Sequence, residues 1–96
     1  MGMNALDAIC ATPLDKTSDV PLYLQLKLRL IGLIATHAFD GRTPLPAEAE
    51  ICRALGLSRS TVRRCFKDLV DEGRVVRRRG KGTFVARYQR GRTTDV

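Results

Sequence analysis

Apolar residues recur at helical spacing from Pro21 onward. Four of them stand at every fourth position and two more widen the stripe: Leu22, Leu26, Leu30 and Ile34, with Tyr23 and Leu33. Such a stripe is typical of an amphipathic helix that packs one face on a core. The pattern predicts a first helix over residues 21–38, and the sequence FDGRTP that follows has the composition of a turn.

Two shorter helical patterns come next, with a glycine between them. Residues 47–55 have one apolar face, and Gly56 is well placed as the left-handed residue that ends this helix. Ser58 can then cap a third helix over residues 59–72, and Gly73 can end it. Two helices joined by about three residues around a glycine form a helix-turn-helix.

Beyond the third helix, the apolar spacing changes to a β pattern. Residues 75–76 open one β-prone run and residues 83–85 form another, with the basic sequence RGKG, residues 79–82, between them. The predicted fold class is therefore mainly α with a small β-hairpin, a winged helix-turn-helix of three helices and a wing. This domain is predicted over residues 21–88, and residues 1–20, which lack periodicity, are expected to be a flexible N-terminal tail.

The basic residues are concentrated in the second half of the chain. The 96 residues carry a formal net charge of +7 and suffice for one domain with a modest core. Residues 59–92 contain twelve basic and three acidic residues, a net charge of +9, whereas residues 1–58 carry −1. A basic surface attracts phosphates or acidic lipids, so the composition favours a polyanionic partner.

The sequence shows no pattern of a disulfide, a metal site or a catalytic site. Cys10, Cys52 and Cys65 lack disulfide or zinc-ligand spacing, and the acidic residues near residue 70 have no nucleophile or base at a useful spacing. We therefore expect no metal, no cofactor and no enzymatic activity. Because no apolar run approaches the ~20 residues of a membrane span, we expect no membrane partner and a cytoplasmic protein associated with the nucleoid.

The start of the third helix combines hydroxyl and guanidinium side chains on its outer face, while Val62 and Phe66 point to the core. An α-helix fits the major groove of B-DNA, and the first residues of a recognition helix reach the base edges. Arginine can donate two hydrogen bonds to guanine, and free N–H groups at a helix start suit phosphate. The predicted DNA-binding residues here are Ser58, Arg59, Ser60, Thr61, Arg63 and Arg64.

The hairpin supplies a second basic element. Basic residues on a helix usually form a solvated face, and on a hairpin they can protect a strand edge. Two basic elements occur together here, and Gly80 and Gly82 permit close approach to a ligand, so we expect the hairpin to bind a ligand directly. The tip is predicted to enter a minor groove, and at least one of Arg77 and Arg78 to follow phosphates. The predicted wing contacts are Arg78, Arg79, Gly80 and Lys81.

The chain contains four short motifs in a fixed order and spacing: PLYLQL, LPAE, GLSRSTVR and GKGTFV. Over residues 21–86 they resemble the winged helix-turn-helix DNA-binding domain of the GntR family of bacterial transcription regulators. The opening PLY and the wing resemble members whose second domain binds small effectors through a chorismate-lyase-like fold. The resemblance implies sequence-specific binding to double-stranded operator DNA by a regulator, expected to be a repressor.

The resemblance also assigns roles by position. Arg59, Ser60, Thr61 and Arg63 match the recognition-helix contacts of the family, and Arg79 with Gly80 matches its wing tip. Other positions depart from the family pattern or fall where it usually has alanine. Ala49 stands where an arginine commonly contacts DNA, Ala47 removes half of a capping box that Glu50 retains, and Cys52 and Cys65 are interpreted as small buried fillers.

Family members bind DNA as dimers, so the resemblance implies a dimer on DNA or in the full-length protein. A small-molecule effector would bind a domain that these 96 residues do not contain, and residues 89–96 are expected to be a tail or a linker to it.

Two further functions fit a basic domain. The first is an RNA-binding or ribosome-associated module, which would need exposed aromatic residues for base stacking. The sequence predicts that Phe66 and Phe84 are buried, so that Tyr88 is nearly the only aromatic residue expected on the surface. The second is a protein-interaction module, which the charge of +9 over residues 59–92 disfavours.

Overall fold

The computed structural model describes residues 5–36 and 44–86. It contains helices α1 (Ala5–Ile9), α2 (Leu22–Ala35), α3 (Glu48–Leu55) and α4 (Arg59–Asp71), and strands β1 (Val75–Arg78) and β2 (Gly82–Val85). The three predicted helices and the predicted hairpin are confirmed, with small differences at their ends. Residues 1–4, residues 37–43 with most of the predicted turn, and residues 87–96 with Tyr88 lie outside the described residues.

Helices α2 and α4 pack against each other and form the centre of the core. Burial of a large aliphatic or aromatic side chain contributes about 1.5–3 kcal/mol, so packing of the apolar stripe on α4 stabilises this helix more than its intrinsic propensity does. The stripe consists of Val62, Cys65, Phe66 and Leu69, and it faces Leu26 and Leu30 of α2, Ile51 of α3, and Val75 and Val85 of the hairpin.

The two cysteines interpreted as fillers differ in their surroundings. Cys65 is fully buried in the core, and burial raises the pKa of its thiol to about 12. Its thiolate is therefore scarce at neutral pH. Cys52 is only half-buried, and its Sγ lies 3.7 Å from the carbonyl oxygen of Ser58.

The described part of the N-terminal segment, residues 5–20, is folded, which corrects for those residues the prediction of a flexible tail over residues 1–20. Within its described part, α1 inserts Ile9 fully into the core, and Leu14 is buried as well. The prediction was wrong because the apolar residues of this segment are too few to show a period. Contacts with α2, rather than a regular amphipathic face, bury them.

Local hydrogen bonds set the ends of the two helices of the helix-turn-helix. At the start of α3, the Ala47 N–H donates to Glu50 Oε1 (3.0 Å), so the half of the capping box that the sequence retains is formed. Gly56, with φ of 68°, ends α3 in the left-handed conformation as predicted. Ser58 Oγ then accepts a hydrogen bond from the Thr61 N–H (3.2 Å), which confirms the predicted cap of α4.

The wing is an antiparallel hairpin in which Val75 pairs with Val85 and Arg78 with Gly82. Its tip, residues 79–81, is closed by a hydrogen bond from the Lys81 N–H to the Arg78 carbonyl oxygen (2.9 Å). The Leu45 N–H donates to the Thr83 carbonyl oxygen (2.7 Å), which ties the segment before α3 to the edge of the wing. The wing root and the start of α3 are thereby neighbours.

Candidate nucleic-acid interface

The first turns of α4 are exposed on the side opposite the core. Val62, Cys65 and Phe66 are buried against the rest of the domain, whereas the basic and hydroxyl side chains between them face solvent. The exposed residues predicted to bind DNA are Ser58, Arg59, Ser60, Arg63 and Arg64, and Thr61 is half-buried. The amphipathic pattern of α4 therefore leaves its first turns available to an external partner.

Three hydroxyl groups meet at the start of α4. Ser58 Oγ lies 2.8 Å from Thr61 Oγ1 and 3.2 Å from Ser60 Oγ, in addition to capping the Thr61 N–H. The hydroxyl groups of Ser58 and Thr61 are thus already hydrogen-bonded within the helix start. Ser60 is exposed and keeps more of its capacity for a ligand.

Arg64 is held against the N-terminus of α2. Its guanidinium carbon lies 4.0 Å from the centre of the Tyr23 ring, and its Nη2 donates to the Tyr23 hydroxyl (3.2 Å). The sequence pattern assigned Tyr23 only to the apolar stripe and missed this contact. Together the two side chains join the start of α2 to the start of α4 in a shallow cleft, also lined by Pro21, Leu22, Ser60 and Thr61.

Glu48, the first residue of α3, was not predicted as part of the interface. Its Oε2 accepts a hydrogen bond from Arg77 Nη2 (3.1 Å), and its Oε1 lies 4.0 Å from Arg63 Nε. The side chain of Glu48 is only 24% exposed. One carboxylate therefore links α3, α4 and the root of the wing.

Of the two arginines of which at least one is predicted to follow phosphates, Arg77 is the one that already has a carboxylate partner. Arg77 is engaged by Glu48, whereas Arg78 has its guanidinium carbon 5.7 Å from the centre of the Phe84 ring. An acidic residue at a helix start is favourable for the helix dipole, so Glu48 in the sequence gives no signal of a contact with Arg77 or Arg63.

The wing tip presents Arg79, Gly80 and Lys81 to solvent. Gly80 has φ of 75°, which a residue with a side chain rarely adopts. At Gly82, where φ is 120°, a Cβ would lie 3.2 Å from the Pro44 side chain. The sequence RGKG thus forms a tight turn whose basic side chains project outward.

Basic residues near the far end of α4 are neutralised by acidic neighbours. Lys27 pairs with Asp68 (3.7 Å) and with Glu72, and Lys67 pairs with Asp71 (2.9 Å). The hydrogen bond to Glu72 raises the pKa of Lys27, and the same bond holds the pKa of Glu72 below its ordinary value. The acidic cluster is therefore a set of ion pairs at the end of the helix, distant along α4 from its basic start.

Neither a metal cluster nor a membrane-spanning helix is found in the part of the chain that the structure describes. Residues 5–36 and 44–86 contain no group of three or more His, Cys, Asp or Glu side chains that could hold a metal ion. None of the helices over these residues has the length and apolar content that crossing a bilayer requires.

Comparison with known proteins identifies the architecture. The family described as "Bacterial regulatory proteins, gntR family" matches residues 22–85. The chain is 43% identical over 72 residues to the HTH-type transcriptional regulator YurK of Bacillus subtilis (strain 168), and 38% identical over 74 residues to the HTH-type transcriptional repressor NagR of the same organism. These matches cover 75% and 77% of this chain, which spans about 30% of the length of each relative.

Among solved structures, the fold is similar to that of the DNA-binding domain of AraR in complex with operator ORR3. The TM-score is 0.67 at 33% identity, covering 78% of this chain and 90% of that one. A second similar structure is YtrA from Sulfolobus acidocaldarius, a GntR-family transcription factor, with a TM-score of 0.69 at 30% identity over 80% and 82% of the two chains. The predicted winged helix-turn-helix fold is confirmed.

Proposed function

Because this chain belongs to the gntR family of bacterial regulatory proteins, we propose that it binds a specific sequence of double-stranded operator DNA and that its full-length protein represses transcription from that site. The neighbouring AraR domain is described in complex with an operator, and the relative NagR is a repressor by name. In the proposed role, α4 is the recognition helix, and it forms one basic surface with the wing. Glu48 supports this arrangement because it contacts an arginine of each element.

The observation that carries the proposal is the position of Glu48 between Arg63 and Arg77. Since both arginines contact one carboxylate, the recognition helix and the wing root present their basic side chains side by side. In the proposed complex the start of α4 enters the major groove, where Arg59, Ser60 and Arg63 contact base edges. Ser58 and Thr61 hold the helix start, and Arg64 contacts the backbone from its stack on Tyr23.

The wing completes the proposed interface. Arg79 and Lys81 extend from the Gly80 turn into the adjacent minor groove, whose negative potential attracts basic side chains. Arg78 follows the phosphates, because Arg77 is already bound to Glu48. Ala49 is one residue along α3 from Glu48 and supplies no hydrogen-bond donor from its side chain, so we expect α3 to contribute less to base recognition than in relatives with arginine there.

The burial of the aromatic residues argues against the RNA-binding alternative. Phe66 is almost fully buried, and Phe84 is only 9% exposed and lies near the Arg78 guanidinium. Base stacking on single-stranded RNA needs exposed rings, and the structure offers neither of these two.

The remaining features of the full regulator are also proposals. The chain corresponds to about 30% of its relatives' length, so we place the small-molecule effector site and the dimer interface in a further domain. A dimer would bring two copies of α4 to a two-fold symmetric operator. Binding to chromosomal DNA would locate the protein at the nucleoid.

Selection of bound duplexes from a random pool tests the proposed function. We expect this chain to enrich a defined site at low salt and to keep that preference near physiological salt. Retention that falls with salt but enriches no sequence would mean that phosphate contacts dominate and that sequence discrimination is absent. Equal retention of single-stranded RNA in competition would favour the RNA-binding alternative instead.

A further inference from the structure

The segment before α2 follows a defined path along that helix. Residues 10–20, here called the N-terminal strap, are held by two side chains of α2. Gln25 accepts a hydrogen bond from the Asp15 N–H (2.8 Å) and donates to the Asp15 and Val20 carbonyl oxygens (2.8 Å each). Arg29 donates to the Ile9 carbonyl oxygen (2.9 Å) and to that of Thr12.

The N-terminal strap places Lys16 at the turn of the helix-turn-helix. Lys16 Nζ donates to the Gly56 carbonyl oxygen (3.2 Å), and the side chain is exposed. Arg59 begins α4 three residues after Gly56, a stretch of backbone that spans at most about 10 Å. Lys16 therefore lies beside the end of α4 that enters the groove in the proposed complex.

The positive charge of Lys16 has no carboxylate partner among the described residues. The carboxylate of the adjacent Asp15 instead accepts hydrogen bonds from the Thr17 N–H (2.9 Å) and hydroxyl (2.7 Å). Lys27 and Lys67, by contrast, are both ion-paired. An ammonium group has three donors and the Gly56 carbonyl uses one, so two donors of Lys16 remain for an external anion.

We propose that Lys16 binds a DNA phosphate at the edge of the groove that α4 enters, so that the N-terminal strap is part of the DNA interface. The proposal rests on the proposed DNA binding and extends it to residues that precede the family match at 22–85. A lysine at the carbonyl end of α3 could also serve only as a helix cap. The two roles differ in salt dependence, because only a phosphate contact releases a condensed counterion.

The test compares Lys16→Ala and Lys16→Arg with the unaltered chain. Dissociation constants are measured by fluorescence anisotropy for a short duplex of the selected sequence, between about 50 and 200 mM salt. We expect Lys16→Ala to bind more weakly and to reduce the slope of log affinity against log salt by about 0.9, the contribution of one phosphate contact to B-DNA. The ratio of the dissociation constant of Lys16→Ala to that of the unaltered chain should then fall about threefold over this salt range. Lys16→Arg should retain the original slope.

Lys67→Ala is the matched control, because it removes one exposed lysine charge near the far end of α4, where Lys67 is 72% exposed and paired with Asp71. It should leave the slope unchanged. An unchanged slope for Lys16→Ala, with or without a lower melting temperature, would overturn the proposal in favour of a capping role or no role. If the unaltered chain shows no salt-dependent duplex binding, the proposed function fails as well, which separates that result from failure of Lys16 alone.

Discussion

At the residue scale, the arginines of the proposed interface differ in how firmly they are held. Arg59 has no ion pair or ring contact among the described residues, whereas Arg63 is near Glu48 and Arg64 is stacked on Tyr23. A side chain that is already positioned loses less conformational entropy when it binds. We therefore expect Arg63 to discriminate between bases more strongly than Arg59.

Arg63→Ala should reduce the preference for the selected duplex over a scrambled one by about 1–3 kcal/mol, because a bidentate contact to guanine is lost. Lys81→Ala, on the wing tip, should weaken binding to both duplexes to a similar degree, because a phosphate or minor-groove contact is less specific. Titration of each variant with the two duplexes measures both effects. Equal losses of Arg63→Ala on the two duplexes would contradict the assigned role.

Glu48→Gln should have opposite effects on affinity and specificity. Removing an anion from a basic face should tighten binding to the scrambled duplex, while Arg63 and Arg77 lose their shared partner. We expect the preference for the selected duplex to fall by up to about 1 kcal/mol, the upper value for a partly exposed ion pair. Asp71→Asn removes the same charge beside Lys67 and should preserve the preference. Parallel gains on both duplexes for Glu48→Gln would show that Glu48 acts only through its charge.

At the scale of elements, α4 depends on two different kinds of interaction. Its apolar stripe packs on α2 and α3, and its start is ordered by the Ser58 cap. The cap matters for the interface because the residues that it orders are those that the proposed complex places in the groove. Weakening the cap should therefore affect stability and DNA binding together.

Ser58→Ala should lower the free energy of unfolding by about 0.5–2 kcal/mol, the usual cost of losing an N-cap hydroxyl. Urea denaturation followed by circular dichroism measures this value. Ser60→Ala is the control, because Ser60 is exposed and its backbone N–H is not the one capped by Ser58. A loss for Ser60→Ala as large as that for Ser58→Ala would contradict the capping role.

At the scale of the whole molecule, the folded unit extends to residues before position 21, where the predicted domain of residues 21–88 begins. The N-terminal segment contributes Ile9 and Leu14 to the core and is held by Gln25 and Arg29. Small domains bury a limited share of their surface, so even two added apolar side chains matter to stability. We therefore propose that the functional DNA-binding unit includes residues 5–20.

Ile9→Ala tests this larger unit. A fully buried isoleucine that is truncated in a packed core costs about 2–5 kcal/mol, which is a large part of the stability of a small domain. Leu28→Ala is the control, because Leu28 is 56% exposed, and it should change the free energy of unfolding by less than about 0.5 kcal/mol. Unfolding of Ile9→Ala at the same urea concentration as the unaltered chain would mean that residues 5–20 are not packed in solution.

Local patterns were enough to predict α2, α3, α4, the wing, Gly56 and the Ser58 cap, because periodicity, capping and turn formation involve residues only a few positions apart. They also predicted the basic residues that face solvent on α4 and the wing, although DNA binding by those residues remains a proposal. The contacts that refine the interface join distant positions: Arg77 with Glu48 (29 residues apart), Lys16 with Gly56 (40 residues) and Arg64 with Tyr23 (41 residues). No local pattern specifies which distant side chains meet. Only the packing of α2, α3 and β1 on α4, and of the N-terminal segment on α2, could establish these partners and the burial of Ile9.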